Sequence, residues 1–324
     1  MAHVPVVDIS ADPQSVGAEL DEICRTAGFF QVTGHGVPGD VAGDAWRAAT
    51  GFFDLPLADK MSVARPTEDY PYGYIPMTGE SLSRSVAGSA PPDLKEVFNA
   101  GPPAAAHPVT GPGSNWSYSP SLWPLALPDL QIAWTVYYAA LRELGGRLMS
   151  LLARGLGLPP GYFTQLIDQS PDALRAINYP ARDTPPLPGQ LRAGAHTDYG
   201  TLTILRQDEV GGLEVLGGDG GWTGVEPVPG AFVVNLGDLM ARWTNDRWRS
   251  TLHRVVDPPG AMARRQSMPY FQNANWTAEI SCLPTCLAPG ERPRYKPVLA
   301  GPHLMGKFRR SVAVASEPGR DDRD

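Results

Sequence analysis

The stretch GAHTDYGTLTIL, residues 194–205, decides how the rest of the chain is interpreted. It predicts a strand that carries two metal ligands and then continues into a second, more apolar strand. His196 and Asp198 stand two residues apart, and on a strand this spacing puts both side chains on one face. An imidazole beside a carboxylate suits a divalent transition metal, and a second histidine would complete a site of two histidines and one carboxylate.

A suitable second histidine lies further along the chain. His253 stands within STLHRVV, residues 250–256, which also predicts a strand. A distant strand of a barrel can return to lie beside the first one. A bare His-x-Asp is common by chance, so the prediction depends on what accompanies it. We predict that His196, Asp198 and His253 together hold one metal ion.

A third motif, RQS at residues 265–267, follows the distal histidine. On a strand Arg265 and Ser267 share a face, and an arginine fork beside a hydroxyl is a suitable grip for a carboxylate. Tyr179, on a neighbouring predicted strand, is a candidate hydroxyl for the same carboxylate. Arg175 lies on the same strand face as Tyr179, and it fits either an anionic substrate or a structural ion pair.

Composition limits the class of protein. The 324 residues are 42% hydrophobic and include 35 Gly and 34 Pro, which fits one large domain or two small ones rich in strands and tight turns. The net charge is −7 without a large basic cluster, so nucleic acid is not an expected partner. No apolar run approaches the roughly 18 residues of a membrane span. We expect a soluble, cytoplasmic protein with no membrane partner, and the sequence predicts no oligomeric state.

The pattern of elements favours a β sandwich or barrel. From residue 174 onward, short predicted strands alternate with turn signals rather than with helices. A long predicted helix at about 130–156 carries a broad apolar stripe, typical of a helix that backs a sheet. The glycine-rich segment 217–221 lacks the strand–GxGxxG–helix context of a phosphate loop, so it predicts a hairpin turn instead.

Taken together, the motifs resemble the isopenicillin N synthase-like branch of the non-haem iron, 2-oxoglutarate-dependent oxygenases. The matching C-terminal segments are HTDYGTLTIL (196–205), QD (207–208), GGL (211–213), VNLGD (234–238), WTN (243–245), HRV (253–255) and RQS (265–267). The matching N-terminal segments are PVVD (5–8), GFF (28–30), GHGV (34–37), FFDLP (52–56) and DLKE (93–96). The resemblance therefore covers nearly the whole chain.

This resemblance implies a mainly β fold with flanking helices, a double-stranded β-helix (jelly-roll) core and one long backing helix. It implies an N-terminal α/β region at 1–120 packed on a core at 121–316, and we expect a disordered tail at 317–324. It also implies Fe(II) on the three predicted ligands, with 2-oxoglutarate held by Arg265 and Ser267 near Tyr179. O2 would then convert this co-substrate to succinate and CO2 while a small-molecule substrate is oxidised.

Three interpretations of the activity stay open at this point. The first is a 2-oxoglutarate-dependent oxygenase that hydroxylates, desaturates or cyclises a small molecule, in specialised metabolism. The second is an isopenicillin N synthase-like oxidase, which uses the same Arg-x-Ser for a substrate carboxylate and no 2-oxoglutarate. The third is a metal-binding or ligand-binding jelly roll without turnover. For the substrate pocket we predict Arg175, Tyr72, Phe98 and Phe271 as lining residues.

Overall fold

The computed structural model describes residues 3–83, 91–103, 110–258 and 263–312, and the predicted tail at 317–324 lies outside them. The strands are β1 Val6–Asp8, β2 Phe29–Thr33, β3 Gly73–Ile75, β4 Glu96–Ala100, β5 Ala173–Tyr179, β6 Ala193–His196, β7 Leu202–Gln207, β8 Leu213–Leu216, β9 Trp222–Gly224, β10 Phe232–Leu236, β11 His253–Val255, β12 Arg265–Gln272, β13 Glu279–Ile280 and β14 Val298–Leu299. The helices are α1 Pro13–Thr26, α2 Gly39–Phe53, α3 Leu57–Met61, α4 Ser114–Ser117, α5 Asp129–Gly155, α6 Thr164–Ile167, α7 Asp238–Trp243 and α8 Ala300–Val312.

Two sheets form the β core. The major sheet has eight strands in the order β1-β2-β10-β7-β12-β5-β4-β3, and the minor sheet has four in the order β6-β11-β8-β9. Strands β13 and β14 form a separate pair. Most neighbours within the two main sheets are antiparallel, and the β1–β2 pair is parallel. The predicted β core with flanking helices is confirmed.

The major sheet is buried on both faces, because alternate side chains pack into two different layers. One layer lies between the major sheet and the helices, and the other lies between the two sheets. On β2, Phe30 and Val32 belong to the helix-side layer, whereas Phe29 belongs to the layer between the sheets. The site described below opens within this second layer.

The predicted long helix is α5, and it packs against α1, α2 and the helix-facing side of β7 and β12. At the start of α1, the side chain of Asp12 accepts the backbone N–H of Ser15 at 2.9 Å and Pro13 occupies the first turn, and both features favour a helix start. No helix among the described residues is both long and apolar enough to cross a bilayer.

The N-terminal region contributes directly to the major sheet. Strands β1 and β2 extend one edge, and β3 and β4 form the other edge beside β5. A division of the chain at residue 120 stays a prediction, but the strands on either side of it share one hydrogen-bonded sheet.

Two helices near the site are absent from the sequence-based expectations. Helix α7 follows β10 immediately, and its first residue, Asp238, donates its N–H to the carbonyl of Asp198 at 2.8 Å. Helix α8 is the last element described, and its apolar residues include Leu304 and Phe308. Both helices contact the site from outside the strands on which the sequence analysis concentrated.

A close glycine contact lets α1 and α5 cross. A Cβ at Gly155 would lie 2.4 Å from the carbonyl oxygen of Gly17, whereas a Cβ at Gly146 of the same helix would meet nothing within 4 Å. We expect Gly155→Ala to destabilise the protein by about 1–3 kcal/mol, because the two helix backbones must separate. Gly146→Ala should instead stabilise it by about 0.5–1 kcal/mol, because alanine favours the helix. Denaturant unfolding of both variants checks this, and equal effects would contradict the proposed contact.

Candidate active site

The two histidines meet because β6 and β11 pair antiparallel, with a register shift between His253 and Val255. His253 lies directly opposite His196 across the antiparallel pair, and their ring centroids are 4.3 Å apart. Asp198 follows β6 by two residues. One side-chain atom from each of these three residues lies within 4.8 Å of the others. The structure therefore brings together all three residues predicted to bind the metal.

Backbone carbonyls orient both imidazoles. The Nδ1 of His196 lies 2.7 Å from the carbonyl oxygen of Gly194, and the Nδ1 of His253 lies 3.1 Å from that of Thr251. A carbonyl oxygen only accepts hydrogen bonds, so each Nδ1 carries the proton. Each Nε2 is then left with a free lone pair, which is the tautomer that a metal-binding histidine needs.

The two carboxylate oxygens of Asp198 also have different surroundings. Its Oδ2 accepts the hydroxyl of Thr203 at 2.5 Å and the side-chain amide of Asn235 at 2.7 Å. Its Oδ1 faces the histidines, 4.0 Å from Nε2 of His196 and 3.8 Å from Nε2 of His253. Three atoms about 4 Å apart can surround one shared ion at close to bonding distance, which is about 2.1 Å for a metal–nitrogen bond.

Electrostatics favour the metal-binding protonation states. Burial, together with the neighbouring His253, lowers the pKa of His196 to about 3, so this imidazole is neutral at physiological pH. Burial alone would raise the pKa of Asp198. The two histidines and the hydrogen bonds from Asn235 and Thr203 outweigh that effect, and its net pKa lies below the usual value. The centre thus offers the neutral imidazole of His196 and the anionic carboxylate of Asp198.

The residues predicted to bind a carboxylate, Arg265 and Ser267, line the same cavity as the three candidate metal ligands. Arg265 and Ser267 are both buried on β12, where Arg265 pairs with Tyr179 and Ser267 pairs with Ile177 across the sheet. The guanidinium of Arg265 lies over the Tyr179 ring, 5.0 Å from its centroid, and its Nη2 donates to Oε1 of Gln207 at 3.2 Å. Its Nε and Nη1 are buried and have no hydrogen-bond partner among the described residues.

Two free donors on a buried cation need an acceptor, because an unpaired buried guanidinium nitrogen is costly. A carboxylate supplies two oxygens in the geometry of the arginine fork. The residues present therefore fit both groups that the sequence implied, a metal ion at the triad and a carboxylate at Arg265.

One cavity of about 340 Å³ connects the two features. Of the residues predicted to contact substrate, Arg175, Tyr72 and Phe271 line it, and Tyr179 does as well. Helix α8 closes one side through Leu304 and Phe308. The volume is in the range typical of small-molecule pockets.

Phe98 needs a correction. It does not line the cavity but is fully buried in the helix-side layer, where its ring packs against Phe52 and Trp134. Along β4 the odd-numbered residues face the cavity, namely Lys95 just before the strand and Asn99 within it. Phe98 is even-numbered, so its side chain lies on the opposite face and points to the helices.

Several residues at the site were not predicted from the sequence. Thr203 and Asn235 donate to Oδ2 of Asp198, and both occur in segments already noted for their family resemblance. Lys95 and Asn99 stand in or beside the DLKE segment and line the cavity. Nothing in the one-dimensional pattern shows that these side chains converge, because that depends on which strands become neighbours.

Two family models match the chain. The model of the 2OG-Fe(II) oxygenase superfamily matches residues 171–274, and the model described as non-haem dioxygenase in morphine synthesis N-terminal matches residues 4–126. The 2-oxoglutarate-Fe(II) type oxidoreductase hxnY of Emericella nidulans is 35% identical over 324 aligned residues, covering 96% of this chain and 91% of that protein. The chain belongs to the 2-oxoglutarate–Fe(II) oxygenase superfamily.

Further comparisons agree with this assignment. Validamycin A dioxygenase of Streptomyces hygroscopicus subsp. limoneus is 36% identical to this oxygenase, with 86% of this chain and 78% of that protein covered. The crystal structure of a full-length Neurospora crassa protein in complex with alpha-KG matches with a TM-score of 0.82 at 30% identity, covering 94% of this oxygenase and 95% of that chain. The predicted jelly-roll fold is confirmed.

The predicted activity is confirmed at the level of the family. The protein is a non-haem Fe(II), 2-oxoglutarate-dependent dioxygenase that uses O2. Of the alternatives left open by the sequence, the co-substrate-free oxidase is not favoured, and the hypothesis of a jelly roll without turnover gives way to an oxidoreductase.

The hydrogen bond from Asn235 to Asp198 generates a test. We expect Asn235→Ala to weaken Fe(II) binding by about 10–100-fold, because Oδ2 of Asp198, a predicted metal ligand, loses one of its two donors. Asn273→Ala is a matched control, since it removes an equally buried amide that donates to the carbonyl of Pro171. Anaerobic titration against a competing chelator measures both affinities. An unchanged Fe(II) affinity in Asn235→Ala would mean that this amide does not hold the ligand.

Proposed function

We propose that His196, Asp198 and His253 bind the Fe(II) of this dioxygenase, and that Arg265 and Ser267 bind the distal carboxylate of 2-oxoglutarate beside Tyr179. The observation that carries the proposal is that the two polar atoms of each candidate ligand have different surroundings. Each candidate metal ligand has one side-chain atom held by the protein and the other directed at a common point. Such preorganisation is expected of a site that fixes an ion in one geometry.

The proposed co-substrate grip is supported by its unpaired donors. Arg265 is 1% exposed, and the Tyr179 ring below it fixes the plane of the guanidinium. The neighbouring Gln207 accepts one hydrogen bond from Nη2, so Nε and Nη1 are left for a ligand. A carboxylate that accepts from either nitrogen would lie in the cavity shared with the proposed metal ligands.

When both are bound, Fe(II) and 2-oxoglutarate supply the oxidation of a substrate carbon by O2, with release of succinate and CO2. The protein's own contribution is to bind, orient and exclude water. Aromatic walls at Tyr72, Phe271, Trp116 and Phe308 line the cavity in which the substrate would be held. We propose that Arg175 orients the polar end of that substrate.

We further propose a role in specialised metabolism. Validamycin A dioxygenase is 36% identical to this chain, and a proline hydroxylase, buaE, of Petromyces alliaceus is 34% identical, with coverage of 83% of this chain and 84% of that protein. Their names indicate tailoring of small molecules, and the present cavity is of suitable size for such a substrate.

The metal assignment predicts a loss that cannot be compensated. His196→Ala should abolish Fe(II) binding at micromolar metal and, with it, succinate formation, because the triad has no spare protein ligand. Metal analysis after anaerobic loading and desalting gives the measurement, and the circular dichroism spectrum of the variant controls for folding. Retained stoichiometric iron with full turnover would refute the assignment.

The co-substrate assignment is tested by anaerobic titration of the Fe(II)-loaded protein with 2-oxoglutarate, following the visible metal-to-ligand charge-transfer band. We expect the band with the native protein, and we expect Arg265→Leu to raise the dissociation constant of 2-oxoglutarate by at least about tenfold, because a charge-assisted pair is lost. Iron should stay bound.

Arg264→Leu is the matched control for this titration. The neighbouring Arg264 contacts Asp54 and Asn178 rather than the cavity, so its removal should leave 2-oxoglutarate affinity within about threefold of the native value. Equal losses in the two variants would indicate a general effect of charge or stability. An unchanged affinity in Arg265→Leu would assign this arginine to the substrate or to structure.

A further inference from the structure

A second group of charged and polar side chains lies along the cavity from the Arg265 grip. It consists of Arg175 on β5, Lys95 just before β4, Asn99 on β4, and Glu80 in the loop before them. Arg175 stands four residues before Tyr179 on the same face of β5, which is about 13 Å along a strand. We call these four residues the polar cluster.

Glu80 is the centre of the polar cluster. Its Oε2 lies 3.3 Å from Nζ of Lys95 and 3.3 Å from Nη1 of Arg175, and its Oε1 lies 3.5 Å from Nη2 of Arg175. Burial by itself would raise the pKa of Glu80, but the charges of Arg175, Lys95 and Arg65 outweigh it and lower that pKa to about 2. Both carboxylate oxygens of Glu80 therefore already face protein cations.

Positive charge exceeds negative charge around Glu80. Lys95 also pairs with Asp93 at 3.0 Å, and among the described residues the other side-chain contacts of Asp93 are with backbone N–H groups. Three cations, Lys95, Arg175 and Arg65, thus share the two largely buried carboxylates of Glu80 and Asp93. A third carboxylate, that of Glu68 near Arg65, is exposed, so solvent screens its charge. A single anionic group brought in by a ligand would balance the surplus, whereas a cationic ligand would increase it.

Free hydrogen-bond donors point to the same conclusion. Oδ1 of Asn99 accepts Nε of Arg175 at 2.6 Å, which fixes the orientation of the amide. The Nδ2 of Asn99 and the hydroxyl of Ser117 are buried, line the cavity and have no hydrogen-bond partner among the described residues. Buried donors of this kind require an acceptor, and a carboxylate has the capacity to serve several at once.

The walls beside the cluster suit an apolar body. The guanidinium of Arg175 lies 5.7 Å from the centroid of Phe271, and Tyr72 and Trp116 line the same part of the cavity. A flat ring could pack against these aromatic faces while its charged substituent reaches Arg175.

We propose, resting on the proposed function above, that the substrate is a small ring-containing carboxylic acid whose carboxylate is bound by Arg175 and Asn99, with Lys95 supplying additional positive charge. The cavity then contains two anion sites with different tasks. Arg265 takes the co-substrate, and the polar cluster takes the substrate. A carboxylate anchored at the cluster limits which substrate carbons can face the metal ligands.

The test uses matched probes on the anaerobic protein loaded with Fe(II) and saturating 2-oxoglutarate, so that the Arg265 grip is filled. The probes are benzoate with benzamide, cyclohexanecarboxylate with its amide, and benzylamine as the cation. Isothermal titration measures their affinities. We expect each carboxylate to bind at least about tenfold more tightly than its amide, and benzylamine not to bind.

Variants link any such preference to the polar cluster. Asn99→Asp is isosteric, still accepts Nε of Arg175, and places a negative charge where the amide donor was. It should weaken carboxylate binding by at least about tenfold and amide binding by less than about threefold. Arg175→Gln removes the cation and should likewise weaken carboxylate binding much more than amide binding. This second variant keeps the test decisive if Asn99→Asp folds poorly. Arg206→Gln, a half-buried arginine that bonds to α2 on the other side of the sheet, should change neither.

The outcomes separate this inference from the proposed function. If the charge-transfer band forms and amides or benzylamine bind as tightly as the carboxylates, or no carboxylate binds, the inference is overturned while the proposed function stands. If carboxylates bind but Asn99→Asp and Arg175→Gln leave their affinity unchanged, the polar cluster is not their site and the inference fails. If the band does not form, the co-substrate assignment fails, and the same titrations on metal-free Arg265→Leu protein, in which the other anion site is removed, decide the inference, since the cluster contains no metal ligand.

Discussion

The antiparallel pairing of β6 with β11 is the constraint on which the active site depends. Its register places His196 opposite His253, and a shift of one residue would turn one imidazole to the opposite face of the minor sheet. The register is fixed from both sides, because β11 also pairs with β8, where His253 faces Val215. The backbone carbonyls that orient the rings belong to the same two segments. The pairing of these strands therefore determines where the two imidazoles lie relative to each other.

Much of this centre could be predicted because residues close together in the sequence define it. In a His-x-Asp or an Arg-x-Ser on a strand, the two outer residues point to the same face, so the sequence alone predicted that His196 lies beside Asp198 and Arg265 beside Ser267. The jelly-roll class followed from the resemblance and from the run of short strands. The long helix at Asp129–Gly155 followed from its apolar stripe.

What the sequence could not predict depends on neighbours that are distant in the chain. Asn235 reaches Asp198 only because β10 lies beside β7, which no local pattern specifies. Phe98 was assigned to the cavity because β4 is buried on both faces. A strand of this kind shows no polar–apolar alternation, so its two sides cannot be distinguished. Helix α8 was missed for a similar reason, since its role is set by what it covers.

The cavity also contains buried polar groups without hydrogen-bond partners among the described residues, whereas most buried polar groups in proteins are hydrogen-bonded. Elsewhere on the same sheet, buried charge is closely satisfied, as where Lys60 pairs with Glu96 at 2.8 Å. Within the cavity, by contrast, donors of Arg265 and Asn99 are held without partners among the described residues. Unsatisfied donors lower the stability of the ligand-free protein, and the local rules of polar satisfaction are broken where ligands are expected to restore them.

The order of strands in the major sheet has an evolutionary consequence. The polar cluster is built on β4, β5 and the loop before β4, at the edge supplied largely by the N-terminal region, whereas the metal ligands belong to the minor sheet and the segment after β6. If the polar cluster binds the substrate as proposed, mutations at that edge would alter which molecule is accepted, because none of the residues proposed to bind iron lies there. A lineage with this architecture can therefore diversify its substrates while inheriting its oxidative chemistry intact.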